Sequence, residues 1–424
     1  MTTSYWHPFA DMSVVSQHEL VLERGEGVYV YDADGKRYLD ISASLWYCLV
    51  GHGRAEIADA VAEQIRTLEA YSTFGDITSG PTRDLAAKVA SLAPGAGSKV
   101  FLTSGGSDSI DTAAKLSRRF HQLSGQSSRT WFIVREGAYH GMHAGGTSLA
   151  GIEAMATGYG TLLGEVARIE WDSVEALEAR IEQLGAENVA AFFCEPVMGV
   201  AGVLAPPPGY LTRVQEVCAR HGVLFVVDEV ITGFGRTGDW FASTRFGLEP
   251  DIIVGAKGIT SGYLPLGVVI ASERIAEPFW NGSSGFWRHG YTYSGHATTA
   301  AAALANLEII EREGLLQRAL DLEELLLRAL APLVEHPLVA RVNAGVGALA
   351  AIRFTDEVLA SPGMPAIAAG ALREAGVLTR VLVGGEIQIS PPLIFEEAHV
   401  DELVTALERM LEACAEALPT LSVA

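Results

Sequence analysis

Apolar residues fall along this chain in two rhythms. Short, nearly continuous runs occur at Val100–Thr103, Trp131–Val134, Val189–Cys194, Val223–Val227, Ile252–Val254 and Leu266–Ala271. Between several of them the spacing lengthens to the three-and-four pattern of a helix, notably over 107–123, 173–184 and 210–221. Runs this short and this apolar suit strands buried on both faces, and their alternation with amphipathic helices predicts a mostly parallel sheet covered on both sides. In such sheets ligands bind beyond the carboxyl ends of the strands. The residues that follow each run are therefore where chemistry is expected.

The flanking segments read differently. Gly27–Ile41 predicts two strands around an Asp34-Gly35 turn, Ala55–Glu69 a helix, and Tyr71–Gly75 a loop with two aromatics. An Ala/Leu-rich helical stretch covers Thr298–Glu335, interrupted near Gly314. A strand-like Ala348–Phe354, a helix near Ala366–Glu374, a strand Glu386–Ser390 and a terminal helix from His399 follow. The expectation is an α/β chain with a large domain over 55–297. A smaller α/β domain over 298–424 is joined by the N-terminal segment 1–54. A length of 424 residues favours such a division.

Composition narrows the classes. Hydrophobic residues make up 49% and charged residues 19%, which suits a large buried core. The formal net charge of −21 argues against nucleic acid or an anionic membrane as a partner. Cys48, Cys194, Cys218 and Cys414 are far apart, with no metal-ligand spacing and no disulfide framework. No metal is expected, and a reducing compartment is. The first basic residue is Arg24, and no apolar run is long enough to span a bilayer, so a cytoplasmic protein is expected.

The strand ends supply the candidate chemistry. Of five lysines only Lys257 lies beyond position 115; it closes the run from Ile252, between Ala256 and Gly258. An amine there is costly to desolvate unless its neutral or imine form is used, although a lysine snorkelling from a strand end is the ordinary alternative. Val100–Thr103 leads into Ser104-Gly105-Gly106-Ser107 and a helix, which is either a capped turn or a phosphate cradle. The next run leads to Ala138-Tyr139-His140-Gly141, an aromatic and an imidazole that are structural alone but could serve a flat heteroaromatic ring. Glu195 and Asp228 each follow a buried run and must find a partner: a metal, or a ring nitrogen held protonated. Ser44–Gly53, with Trp46, reads as a core-packed loop or as a substrate-pocket wall. A phosphate seat, a stacking platform, a carboxylate and an isolated lysine are the set that pyridoxal 5′-phosphate requires.

The same residues resemble class III aminotransferases, the ω-aminotransferase group of fold-type-I pyridoxal-phosphate enzymes, over almost the whole chain. The carriers are Thr103–Asp108, Ala138–Gly141, Glu195-Pro196-Val197, Ala256-Lys257-Gly258 and Tyr291–His296. The most specific is Asp228-Glu229-Val230 through Arg236-Thr237-Gly238. The resemblance implies that Lys257 links to the cofactor aldehyde and later shuttles a proton, while Asp228 pairs with the pyridine nitrogen. Val230 and Tyr139 would pack on the two ring faces, His140 would belong to the cofactor-binding set, and Glu195 would support the site by hydrogen bonding. Gly106 and Ser107 would hold the phosphate, and Thr292 would reach the phosphate of a neighbouring subunit, making a homodimer with shared active sites the minimum working unit, whether the assembly is a dimer or a tetramer. Arg380 would bind the carboxylate of an α-keto acid acceptor, and Trp46 and Phe74 would wall the pocket for an amine donor. Val200 stands where ornithine and 4-aminobutyrate aminotransferases carry a gating glutamate, which points to pyruvate as acceptor. Ile41–Ser44 departs from the more common Asp-Gly-containing version. The implied activity is ping-pong transamination from an ω-amino acid or amine; an aminomutase, racemase or decarboxylase on the same scaffold is the alternative.

Overall fold

A computed structural model describes residues 3–421 apart from 284 and 362. Its centre is a seven-stranded sheet: β1 (Lys99–Thr103), β2 (Trp131–Arg135), β3 (Val166–Ile169), β4 (Val189–Cys194), β5 (Leu224–Asp228), β6 (Ile252–Gly255) and β7 (Gly267–Ala271). The order across the sheet is β1-β7-β6-β5-β4-β2-β3. Strands β3, β2, β4, β5 and β6 pair in parallel. Strand β7 alone runs antiparallel to both of its neighbours, β6 and β1. Its reversal suits its connection: residues 256–266 form a loop that holds one short turn, Lys257–Ile259, and no crossover helix.

The six apolar runs are six of these strands. Alternate residues of one strand feed opposite faces: Phe132 and Val134 join Ile110, Phe120 and Val254 on one side. Ile133 joins Phe192, Phe225 and Val214 on the other. The helices Gly106–Leu123, Val174–Leu184 and Tyr210–His221 cover the two faces. Strand β3 was not anticipated, because at the sheet edge its Val-Ala-Arg-Ile is only half buried. Leu22–Glu26 lies outside the predicted hairpin for the same reason: its residues face solvent and carry no apolar signal.

Both chain ends meet in a second region. Leu22–Glu26, Tyr29–Asp32 and Arg37–Asp40 form an antiparallel meander, and Val377–Leu378 adds in parallel to its last strand. Val339–Asn343, Ala350–Phe354 and Glu386–Ile389 form a separate antiparallel sheet. Gly314, left-handed at φ 64°, separates the helices Ala297–Arg312 and Leu315–Leu330, which is the interruption expected there. The main apolar cluster runs without a break from Leu85 and Val268 to Ile352 and Leu407. Among the described residues no helix is long and apolar enough to cross a membrane.

Candidate active site

The carboxyl ends of β1, β2, β4, β5 and β6 open onto one cavity of about 790 Å³. Asp228, the last residue of β5, is 5% exposed. Its Oδ1 accepts from the Val230 N–H at 3.0 Å, and its Oδ2 lies 2.8 Å from His140 Nδ1. A carboxylate only accepts, so His140 carries its proton on Nδ1 and fixes the orientation of Asp228. The imidazole thus braces the carboxylate, a partner that its place in the sequence did not reveal.

Lys257 sits two residues beyond β6 with φ 50°, a left-handed conformation that is uncommon for a residue with a side chain. Such a backbone costs about 1–3 kcal/mol and here turns the amine into the cavity. Burial pulls the amine's pKa down to about 8; Asp228 and Glu195 oppose the shift and Arg380 adds to it. Near neutral pH a useful share of the amine is therefore unprotonated. Glu195 holds the neighbouring loop, its Oε1 accepting from the Tyr139 N–H at 3.1 Å. Its own carboxyl is pushed up by burial.

The phosphate seat is shaped by missing β-carbons. A Cβ on Gly106 would lie 3.1 Å from Val230 Cγ1, so the glycine lets the loop pack onto the valine beside Asp228. A Cβ on Gly267, at the start of β7, would overlap the Gly105 carbonyl oxygen at 2.4 Å. Gly106 and Ser107 open the helix Gly106–Leu123, where first-turn N–H groups have no partner within the helix and favour an anion. Ser107 Oγ accepts from the Met142 N–H at 3.1 Å, which leaves its own hydrogen to donate.

The wall opposite is built from both chain ends. The Trp46 ring, 3% exposed, has Lys257 Nζ 5.2 Å from its centroid and the Arg380 guanidinium carbon 5.5 Å from it. Val200, Ile231 and Leu382 pack with Trp46 into a small apolar cluster. The Arg380 guanidinium has no carboxylate partner among the described residues, and burial lowers its pKa.

Ten of the predicted site residues line this one cavity: Trp46, Gly106, Ser107, Tyr139, His140, Glu195, Asp228, Val230, Lys257 and Arg380. Phe74 and Thr292 do not. They line a separate cavity of about 330 Å³ with Tyr71 and Tyr293, and Phe74 is 58% exposed. The expectation that Phe74 and Trp46 wall one pocket is thus not met within a single chain, because Phe74 lies on an outward loop packed against the Thr292 segment. The sequence reading missed Arg236, whose buried guanidinium donates to the carbonyls of Trp46, Ala348 and Pro391 and so ties the wall to the C-terminal region. Its place in the Asp228–Gly238 motif was the available signal. Pro8 and Phe9 also line the rim; the sequence marked the Trp6-His7-Pro8 opening as similar to that of 7,8-diaminopelargonate and taurine aminotransferases without placing it at the site, and nothing marked Phe9.

Comparison with known proteins decides the family. The profile described as Aminotransferase class-III matches residues 12–411. The chain is a class III aminotransferase. It is 35% identical to the putrescine–pyruvate aminotransferase of Pseudomonas aeruginosa, over 97% of this chain and 94% of that protein. A PLP-bound amine transaminase from an uncultivated Pseudomonas species superposes with a TM-score of 0.92 at 37% identity, covering 98% of this chain and 99% of that one. The omega transaminase of Pseudomonas jessenii, solved with PMP, gives 0.93 at 33% identity, covering 98% and 97%. Pyridoxal 5′-phosphate is accordingly the cofactor of this aminotransferase. Its residues fit that group: Gly106 and Ser107 suit the phosphate, Asp228 the ring nitrogen and Lys257 the aldehyde.

Proposed function

We propose that this aminotransferase moves nitrogen from an amine or ω-amino acid to an α-keto acid, with pyruvate as the acceptor, in two half-reactions at one site. The observation that carries the acceptor is Arg380. A half-buried guanidinium with no protein carboxylate among the described residues is a seat for a substrate carboxylate, which it can bind through two parallel hydrogen bonds. The apolar Val200 in the same cavity offers no competing side-chain carboxylate. The similarity to a putrescine–pyruvate enzyme supports the same acceptor. An intramolecular mutase needs no second substrate, and so no seat for an acceptor carboxylate.

When bound, the cofactor supplies an electron sink for the carbon that gives up its proton. Asp228, oriented by His140, would pair with the ring nitrogen and keep it protonated. Lys257 would hold the aldehyde end, and its amine would carry a proton to and from the substrate carbon. Val230 and Tyr139 would pack on the ring, Gly106 and Ser107 would hold the phosphate, and Trp46 would wall the donor side. Phe74 and Thr292 act across a two-fold interface, completing the site of a second copy; the exposed Tyr71 and Tyr293 beside them support a homodimer. The division at 54 and 297, and a cytoplasmic location, belong to the same reading.

The test is the visible spectrum of the enzyme titrated with β-alanine, taurine, putrescine or 1-phenylethylamine, and then with pyruvate. Loss of the aldehyde-form band with a donor, restored by pyruvate, is the expected result. If no donor converts the band, transfer from this amine class is wrong.

A further inference from the structure

The turn that carries Trp46 is held in a conformation its own residues disfavour. Ala43, Ser44 and Trp46 have φ of 45°, 57° and 64°, and none is a glycine. Something outside the turn must hold it there. Asp40, the last residue of the strand Arg37–Asp40 and 3% exposed, directs both carboxylate oxygens to this task. Its Oδ1 accepts from the Ser42 N–H at 3.1 Å and the Ser42 hydroxyl at 2.9 Å. Its Oδ2 accepts from the Ser44 N–H at 2.7 Å and lies 2.9 Å from His52 Nε2. Because a carboxylate only accepts, His52 carries its proton on Nε2, and its Nδ1 faces the buried Cys48 thiol at 3.7 Å.

The turn is gripped from the other side by Gln388, which is fully buried. Its Nε2 donates to the Ser42 carbonyl at 3.3 Å and to Ser390 Oγ at 2.7 Å, and Ser390 Oγ donates to the same carbonyl at 3.2 Å. The backbone N–H of Gln388 donates to the Arg380 carbonyl at 3.0 Å. One residue therefore touches both the turn that bears Trp46 and the residue that faces the Trp46 ring. Asp40 and Gln388 themselves do not line the cavity.

We infer that Asp40 and Gln388 are positioning residues that fix the Trp46 indole relative to Arg380 and so set which amine donors the pocket admits. The inference rests on the reading of Trp46 as the donor-side wall. It concerns selectivity between donors and not the chemical step. A rigid indole at this wall excludes bulky substituents, and a turn released to more favourable backbone angles lets the indole swing aside.

The experiment compares kcat/KM for 1-phenylethylamine and for a short unbranched amine in the loaded enzyme. Asp40→Asn exchanges one acceptor oxygen for an amide NH2, leaving a backbone N–H of the turn without its partner. It is expected to raise the bulky-to-short ratio by about ten-fold, chiefly through KM, the scale on which pocket fit discriminates. The visible band of the bound cofactor stays unchanged. Adding Ser44→Gly should return the ratio toward that of the parent, since glycine adopts this φ without help. Gln388→Met, which keeps the volume and loses the donor, should shift the ratio the same way and carries the test if Asp40→Asn does not fold. An equal loss for both donors, unrescued by glycine, would overturn the inference and leave Asp40 a structural residue only. Trp46→Ala separates the two levels. If it leaves the ratio unmoved, the wall reading itself fails; if it moves the ratio while the Asp40 and Gln388 variants do not, only the positioning inference fails.

Discussion

The floor and the wall of the cavity are built by different means. The floor comes from strand ends: Asp228 closes β5, and Lys257 stands two residues past β6, so one sheet register sets their separation. The wall has no such scaffold. Trp46 and Arg380 lie more than three hundred positions apart, and buried hydrogen bonds through Gln388 and Arg236 bring their segments together. On the proposed roles, the floor serves every substrate of this chemistry, while the wall meets the part in which substrates differ. Damage to the floor should therefore be indifferent to substrate, and damage to the wall should discriminate.

The largest effect tests the first half of that statement. On the proposed roles, Lys257→Ala removes both the anchoring amine and the proton carrier, and should lower kcat by about a thousand-fold or more for every donor and acceptor alike. The visible band of the lysine-linked cofactor should disappear with it. Retained multiple turnover without added amine would show that the proton is carried by another group. A loss confined to some substrates would break the distinction between floor and wall.

This distinction also governs what the sequence discloses. Asp228, Glu195 and Lys257 could be read from the chain because each follows an apolar run, and a sheet places such positions along one edge. Gly106 and Ser107 were legible for the same reason, as a glycine-rich turn between strand and helix. The brace of His140 on Asp228 was not, since a residue 88 positions away gives no periodic signal of which atom it will face. Ala43 and Ser44 gave no warning of a left-handed turn, because the residues that hold it, Asp40 and Gln388, are polar groups whose burial only the assembled fold reveals. Phe74 and Thr292 line a cavity that shares no residue with the one lined by Trp46 and Lys257, and that separation is decided by packing.

The intermediate effect tests the wall. Arg380→Ala should lower kcat/KM for pyruvate by about ten- to a hundred-fold, the range of a charge-assisted hydrogen bond, and for an aldehyde without a carboxylate by only a few fold. Steady-state kinetics with the two acceptors measures the split. Equal losses would mean that Arg380 is not the carboxylate seat and would place it with the residues that hold the wall in shape.

The smallest effect joins the two halves. Burial is the main cause of the lowered pKa of Lys257, about 8, and the Arg380 charge adds to it. The neutral amine captures an aldehyde, so in cofactor-free protein the rate of pyridoxal phosphate capture should rise with pH through a midpoint near 8. The same shift has a sign for stability. Between that pH and the ordinary lysine range the unfolded chain holds the proton and the folded one does not, so this group makes the cofactor-free fold more stable as pH rises across the window. Below it both states are protonated, and the cost of the buried charge is fully present. Arg380→Met keeps most of the side-chain bulk and removes the neighbouring charge, so the capture midpoint should move up, by less than about one unit. Stopped-flow capture rates over the alkaline range resolve such a change. A midpoint that stays in place would mean that the wall's charge does not reach the floor's amine, although both cations lie within 5.5 Å of the centroid of the Trp46 ring.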